Sequence, residues 1–467
     1  MPILTTYNMT QNMTCTMTSS KATDVILHTF DWPYRQIADN AEAISQLGYK
    51  IVLVSPPMKS LKLPECTPWW QRYQPQDYRI IDNELGNTLD FQHMMQRLGE
   101  CGILVYIDVV FNHMANESDI RSDLQYPNNQ DLAEYKKRPE HYESLKLFGD
   151  LSEPLFTEDH FVEAFGIEDW RDKWQVQNGR ITAGPHDPGL PTLRECEHVL
   201  KQQQAYLLAM KEMGVKGFRI DAAKHISIEQ LRKVWTKEIT EGVHIFGEII
   251  TDGGATKQEY ELFLKPYLNQ TQLGAYDFPL FNTVFQAFQK QGRMSTLIDP
   301  YNLGEALKRQ RAITFAITHD IPNNTVFQDL IMPEEHEWLA YCYILCRDGG
   351  VPLVYTDLNT SGIFNAEGQP RWSNAWQDLR MKTLIDFHNL MHSARMFVLE
   401  VSDDHLVFSR EQQGLASINK SKVVKSVRIR WDKPMYDLVK ETTLDPIDGY
   451  LQWEIPAKGY CCLVERI

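Results

Sequence analysis

The chain has 467 residues, too many for one ordinary domain, and 43% of them are hydrophobic, enough for a sizeable core. Its formal net charge is −15, and no lysine- or arginine-rich block interrupts that acidic balance. This excludes the basic patch that polyanion binding needs, so no nucleic-acid partner is expected; no apolar run is long enough to span a membrane, so no membrane partner is expected either.

The first residues, "MPILTTYNMTQNMTCTMTSSKATD", are polar and threonine-rich. They lack the basic and apolar regions of a secretory signal, so residues 1–22 read as a flexible leader. The expected location is cytoplasmic, or exported without a recognisable N-terminal signal peptide. The Asn-x-Thr sequons at Asn8 and Asn12 would matter only in a secretory pathway.

Short β-rich runs then recur: "DVILHTF" (24–30), "YKIVLVSPP" (49–57), "GILVYIDVVF" (102–111), "GVKGFRID" (214–221), "HIFGEII" (244–250), "GAYDFPLF" (274–281), "AITFAIT" (312–318) and "GVPLVYTD" (350–357). Near-continuous apolar runs bounded by glycine or polar residues are how strands buried on both faces of a parallel sheet read. Helical periodicity lies between them. "DNAEAISQLG" spaces Ala41, Ile44 and Leu47 by three, Ser227 and Gln230 form a capping-box pattern, and "PEEHEWLAYCYILCRDGG" runs from a proline to a glycine stop. Eight alternations predict a (β/α)8 barrel over 23–113 and 194–396. An open doubly wound sheet is the alternative, but no GxGxxG or GxxxxGK[ST] loop supports it.

The interval between the third and fourth runs is too long for an ordinary βα unit. Residues 114–193 are polar and turn-rich, and a structureless loop of that length is uncommon, so a small inserted domain is predicted there. From 397 to 467 the texture changes to short alternating runs, predicting a C-terminal antiparallel β-domain. The eight cysteines are scattered, with no CxxC pair and no zinc spacing, and read as mostly reduced core thiols. Cys342 and Cys346 share a face of one apolar helix.

In such a barrel, chemistry sits where strands end. The third run leads into Asp108, Asn112 and His113, the fourth ends at Arg219 and Asp221, the fifth reaches Glu248, and the seventh reaches His319 and Asp320. A single carboxylate after a strand is usually a helix cap or a surface residue, and a single histidine is usually structural. Several acids converging on one mouth concentrate like charge, which sites tolerate when the chemistry uses it.

These four segments resemble the four short conserved regions of the α-amylase superfamily of retaining glycoside hydrolases, in the family's order. "PWWQRYQPQDYRI" (68–80) resembles the aromatic segment after the second strand of animal-type members. The resemblance implies a barrel with a B domain inserted after the third strand and a C-terminal β-sandwich. By motif position, Asp221 matches the nucleophile, Glu248 the general acid/base and Asp320 the third carboxylate. Arg219 is then the partner that keeps Asp221 ionised, and Asp108 orients Arg219. Glu248 must begin protonated, so its pKa is expected to be raised, and retention places the two carboxyls about 5–5.5 Å apart. His113 and His319 match the pair that bonds the hydroxyls of the sugar being cleaved. Tyr73, with Gln74 beside it, matches the platform beneath that sugar; Trp70 and Trp69 are candidates to extend it. Lys224 and His225 match leaving-group-side contacts.

The resemblance also implies a calcium site, with Asn112 and the His225 carbonyl as two ligands. Where the family has an aspartate this chain has Thr192, a poor ligand for a hard cation, and another acid such as Asp187 would have to fill in. Chloride is doubtful, because Thr318 stands where the animal-type members have asparagine. The expected activity is endo-acting cleavage of α-1,4-glucosidic bonds in starch, glycogen or maltooligosaccharides, by a monomer. The alternatives are an α-glucosidase or glucanotransferase on the same scaffold, or a lapsed glucan-binding protein; the latter has no electrostatic reason to keep three acids together.

Overall fold

The computed structural model describes residues 25–251, 257–303 and 306–465. The expected leader, with its sequons and Cys15, lies outside them.

Eight strands, β1 (Ile26–Thr29), β2 (Ile51–Val54), β3 (Leu104–Val109), β4 (Gly217–Ile220), β5 (His244–Gly247), β6 (Gly274–Tyr276), β7 (Ala312–Phe315) and β8 (Val351–Thr356), pair in parallel and in sequence order into a closed barrel. Every residue of β1, β2, β4, β7 and β8 is buried, because the interior lies on one side and helices cover the other. The helices fall where periodicity placed them, as at Glu197–Glu212 and Glu334–Cys346, and Ser227 Oγ accepts from Gln230 N at 3.0 Å as the cap pattern predicted.

The sixth strand is shorter than its apolar run. It stops at Tyr276, and "DFPLF" turns into a helix, Phe278–Phe288, with Asp277 Oδ1 accepting from Leu280 N at 3.0 Å. An aspartate cap followed by a proline in the first turn was the local signal, and it outweighed the apolar run.

The helices between β3 and β4 include two short ones in succession, Asn129–Lys137 and Pro139–Leu145. Their apolar sides make a small core of Leu132, Tyr135, Tyr142, Leu145 and Leu151 around Ile80 of the preceding barrel loop. Arg79 of that loop anchors the segment further: its guanidinium pairs with Asp77 at 2.9 Å and donates to the Glu153 carbonyl at 2.9 Å.

Beyond the barrel come β9 (Met396–Val401), β10 (His405–Arg410), β11 (Gly414–Asn419), β12 (Lys425–Arg430), β13 (Met435–Asp437), β14 (Thr442–Leu444), β15 (Tyr450–Ile455) and β16 (Gly459–Glu465). Six form one sheet in the order β9-β10-β11-β16-β13-β14, and β12 pairs with β15 alone. The expected alternation holds for β15, but β10 and β11 are buried throughout. One face of the large sheet, with Leu406, Phe408 and Cys462, belongs to the barrel core, while the other, with Val407, Leu415 and Cys461, packs on β12 and β15. The central strands of a sheet sandwiched in this way have no wet face, so β10 and β11 are buried throughout, while the edge strands β9 and β14 keep exposed residues.

Candidate active site

Asp108 on β3 and Arg219 on β4 are register partners. Side chains alternate along a strand, so Arg219 and Asp221, two residues apart, turn to the same side. There Arg219 Nη1 donates to Asp108 Oδ2 and, at 3.1 Å, to Asp221 Oδ1. Its Nη2 donates to Glu248 Oε1, just past β5, and lies 3.8 Å from Asp320 Oδ2, past β7. One guanidinium therefore gathers four carboxyl groups from the ends of four strands. The side chains of Arg219 and Asp108 are 0% exposed, whereas Asp221, Glu248 and Asp320 keep 12%, 8% and 19% of theirs open. Only those three acids can meet a ligand; Asp108 supports from beneath.

The backbone after β4 helps to hold Glu248. Ala222 adopts a left-handed conformation, φ 48°, which a side chain disfavours by about 1 kcal/mol or more. That turn aims its N–H at Glu248 Oε2, 2.9 Å away. Gly247 is required just before Glu248: a Cβ there would lie 2.9 Å from the Ala223 Cβ and 2.8 Å from the Tyr267 hydroxyl.

Four acids around one cation cannot all ionise readily. Burial, joined by the charge of Glu248, pushes Asp221 well above the ordinary carboxyl range, and the same two causes act on Asp320. Burial also raises Glu248, but the Arg219 charge, the hydrogen bond with Asp320 and the Ala222 N–H outweigh it and hold Glu248 low. These directions run against the expectation of a raised Glu248 and of an Asp221 held low by Arg219. Closeness to Arg219 is only part of the cause, since Asp108 bonds the same guanidinium and burial still raises it to about 7; Glu248 also accepts the Ala222 N–H.

Aromatic rings wall the cluster. The His319 ring stacks on Tyr73 at 5.4 Å and on Phe30 at 4.6 Å, and its Nε2 lies 3.4 Å from Asp320 Oδ1. Burial first, then Arg219, holds His319 neutral. The Tyr73 hydroxyl donates to Asp108 Oδ2 at 2.9 Å, and a two-pronged pair between Arg72 and Asp31, 2.6 Å on each prong, ties the Trp69–Tyr73 turn to the end of β1.

The other expected residues are placed differently. His113 spends both ring nitrogens inside the protein, on the Tyr73 carbonyl at 2.9 Å and the Asn112 amide at 3.3 Å. Gln74 Oε1 accepts from Asn116 N. Trp69 packs on Phe30 at 5.5 Å, while Trp70 stands 44% exposed. Lys224 is buried in an ion pair with Glu259 at 2.6 Å, over the Phe263 ring, and the His225 ring meets Trp170 edge-on at 5.7 Å. Phe30, Glu259 and Trp170 were not singled out from sequence; each sits in an unremarkable run, and only folding brings it to a neighbour of consequence.

The residues expected to hold calcium do not fit that ion. Thr192, at the position expected to be acidic, is a neutral hydroxyl whose Oγ1 donates to the Gly179 carbonyl at 3.0 Å, and the other two expected ligands, the Asn112 side chain and the His225 carbonyl, are neutral as well. Asp187, the acid expected to fill in, accepts instead from Asn116 Nδ2 at 2.6 Å and Gly189 N at 2.8 Å. Among the described residues no carboxylate contacts Asn112, Thr192 or His225, and neutral donors alone hold a hard dication weakly. Direct hydrogen bonds join these loops. Chloride beside Arg219 fits no better, since it would add an anion to four carboxyl groups around one guanidinium, with the buried, unpartnered Thr318 hydroxyl as one neutral donor.

Comparison with known proteins agrees with this architecture. Residues 34–329 match the family model described as alpha amylase, catalytic domain. An alpha-amylase of Aeromonas hydrophila is 47% identical over 401 residues, 85% of this chain and 84% of that protein. Alpha-amylase I of Eisenia fetida superposes with a TM-score of 0.75 at 18% identity, covering 95% of this chain and 97% of the other. A cyclomaltodextrin glucanotransferase described as having a three-domain ABC distribution superposes at 0.71 and 18% identity, covering 96% and 100%. With three open acids around a buried arginine at the mouth of an eight-stranded barrel, and a family match over most of its length, this chain belongs to the alpha-amylase family and is a glycoside hydrolase.

Proposed function

We propose that the protein cleaves α-1,4-glucosidic bonds within starch, glycogen or maltooligosaccharides by double displacement. The observation that carries this reading is the trio of partly open carboxyls, Asp221, Glu248 and Asp320, gathered by one guanidinium. In this reading Asp221 attacks the anomeric carbon and forms a glycosyl-aspartate. Glu248 gives its proton to the departing oxygen, then takes one from the incoming water. Asp320 and neutral His319 bond the ring hydroxyls, with Tyr73 beside them. Glu248 must carry a proton and Asp221 must be ionised before the attack, so a bound glucan has to shift the balance that Arg219 sets among the acids, moving a proton from the Asp221 and Asp320 side to Glu248. The 114–193 segment acts as the B domain and 397–467 as the C domain of the same arrangement.

The likeness to a glucanotransferase favours one second reading, transfer of the glycosyl group to a sugar instead of water. Glu248→Gln tests the shared chemistry: hydrolysis of starch should fall on the order of 10³-fold or more while glucan binding persists. Near-normal turnover would reject the role of Glu248. Products from short maltooligosaccharides then separate the two readings, since chains longer than the substrate mark transfer.

A further inference from the structure

Three thiols distant in the chain meet where the barrel abuts the C-terminal sheet. Cys342 and Cys346 lie one turn apart on the Glu334–Cys346 helix, and Cys462 comes from β16; all are 0% exposed. Their sulfurs lie within 4.8 Å of one another, with Cys346 and Cys462 at 3.7 Å, and all three are free thiols. Cys461, next in the strand, faces the other way and donates to the Glu454 carbonyl at 3.4 Å.

Metal–thiolate bonds are about 2.3 Å, which sets sulfurs about 3.8 Å apart in a tetrahedral site and about 4 Å apart in a trigonal one. The observed spacing brackets both, so a cation needs little movement to sit among the three. Arg410 is buried beside them and donates to the Cys346 carbonyl at 2.7 Å.

We propose that Cys342, Cys346 and Cys462 form a buried thiolate site for a soft d10 cation, zinc(II) or copper(I), that fastens the C-terminal sheet to the barrel. Each coordinating thiol releases its proton to solvent and no electron moves. Sulfur ligands select such cations over calcium, which takes oxygen. Because the thiols are enclosed, loading accompanies folding.

The full-length protein, purified without chelator, should retain about one zinc or copper per chain by mass spectrometry of the metal. Refolding from guanidinium under reducing conditions with zinc should raise Tm by several degrees, and with cadmium as the probe should give a thiolate-to-metal charge-transfer absorption. Cys462→Ser should lose the absorption and the shift, Cys342→Ala should weaken binding at least tenfold, and Cys66→Ser, an exposed thiol, should change neither. If Cys462→Ser fails to fold, Cys342→Ala carries the test. The proposal is overturned if wild-type protein refolded with either metal shows no absorption and no Tm shift, or if two of the three cysteines are isolated as a disulfide.

Discussion

Two arginines in this molecule are equally buried and differently employed. Arg219, at the mouth of the barrel, is surrounded by carboxyl groups. Arg410, on β10, donates instead to backbone carbonyls: Cys346 and Arg347 at 2.7 and 2.9 Å, Met391 at 2.6 Å and Ala394 at 2.9 Å. Those carbonyls close the Glu334–Cys346 helix and the Leu379–Leu390 helix, whose C-terminal ends leave acceptors unsatisfied and carry partial negative charge. One arginine is balanced by groups that titrate and exchange protons, the other by groups that cannot. The first arrangement suits chemistry; the second only fastens.

Removing Arg219 should break this contrast most severely. Arg219→Met leaves buried acids without their cation, and both a loss of starch hydrolysis of 10³-fold or more and a destabilisation of about 3–5 kcal/mol are expected, from reducing-sugar assays and urea unfolding. Turnover within tenfold of wild type would mean that the arginine is scaffolding. Arg410→Met should instead lower stability by about 3 kcal/mol through orphaned carbonyls, with kcat/KM of the folded fraction within about threefold of wild type. A matching collapse in kcat/KM would erase the distinction.

A smaller effect comes from pH. Asp320 has a folded pKa raised above its unfolded value, so its contribution to stability is complete below about 4 and is lost as pH rises through the folded value. Asp320→Asn does not titrate. Its stability relative to wild type should grow by about 1 kcal/mol or more between pH 4 and pH 8 in urea titrations, at the expense of activity. A constant difference across that range would show that Asp320 is not perturbed in the fold. The smallest effect concerns calcium. Since a neutral Thr192 stands at the expected acidic position and Asp187 is engaged by Asn116 and Gly189, a calcium-selective chelator should move Tm by less than about 2 °C, and calorimetry with added calcium reads the same point. A fall of ten degrees would place calcium in the fastening of the 114–193 segment after all.

What the sequence by itself determined is whatever depends on local period and order. Eight doubly buried runs separated by helical stretches specify a closed parallel barrel, because such strands need cover on both faces. The two-residue spacing of Arg219 and Asp221 already places them on one side of a strand, and the four motif segments announced which strand ends carry acids. Tertiary structure alone decided how the acids share Arg219 and which of them the Ala222 N–H reaches. It alone brought Cys462 to Cys342 and Cys346 and Glu259 to Lys224, and it alone committed Asp187 to Asn116. Periodicity reports which face a residue is on; proximity among residues a hundred positions apart depends on how whole elements dock, and no local pattern encodes it.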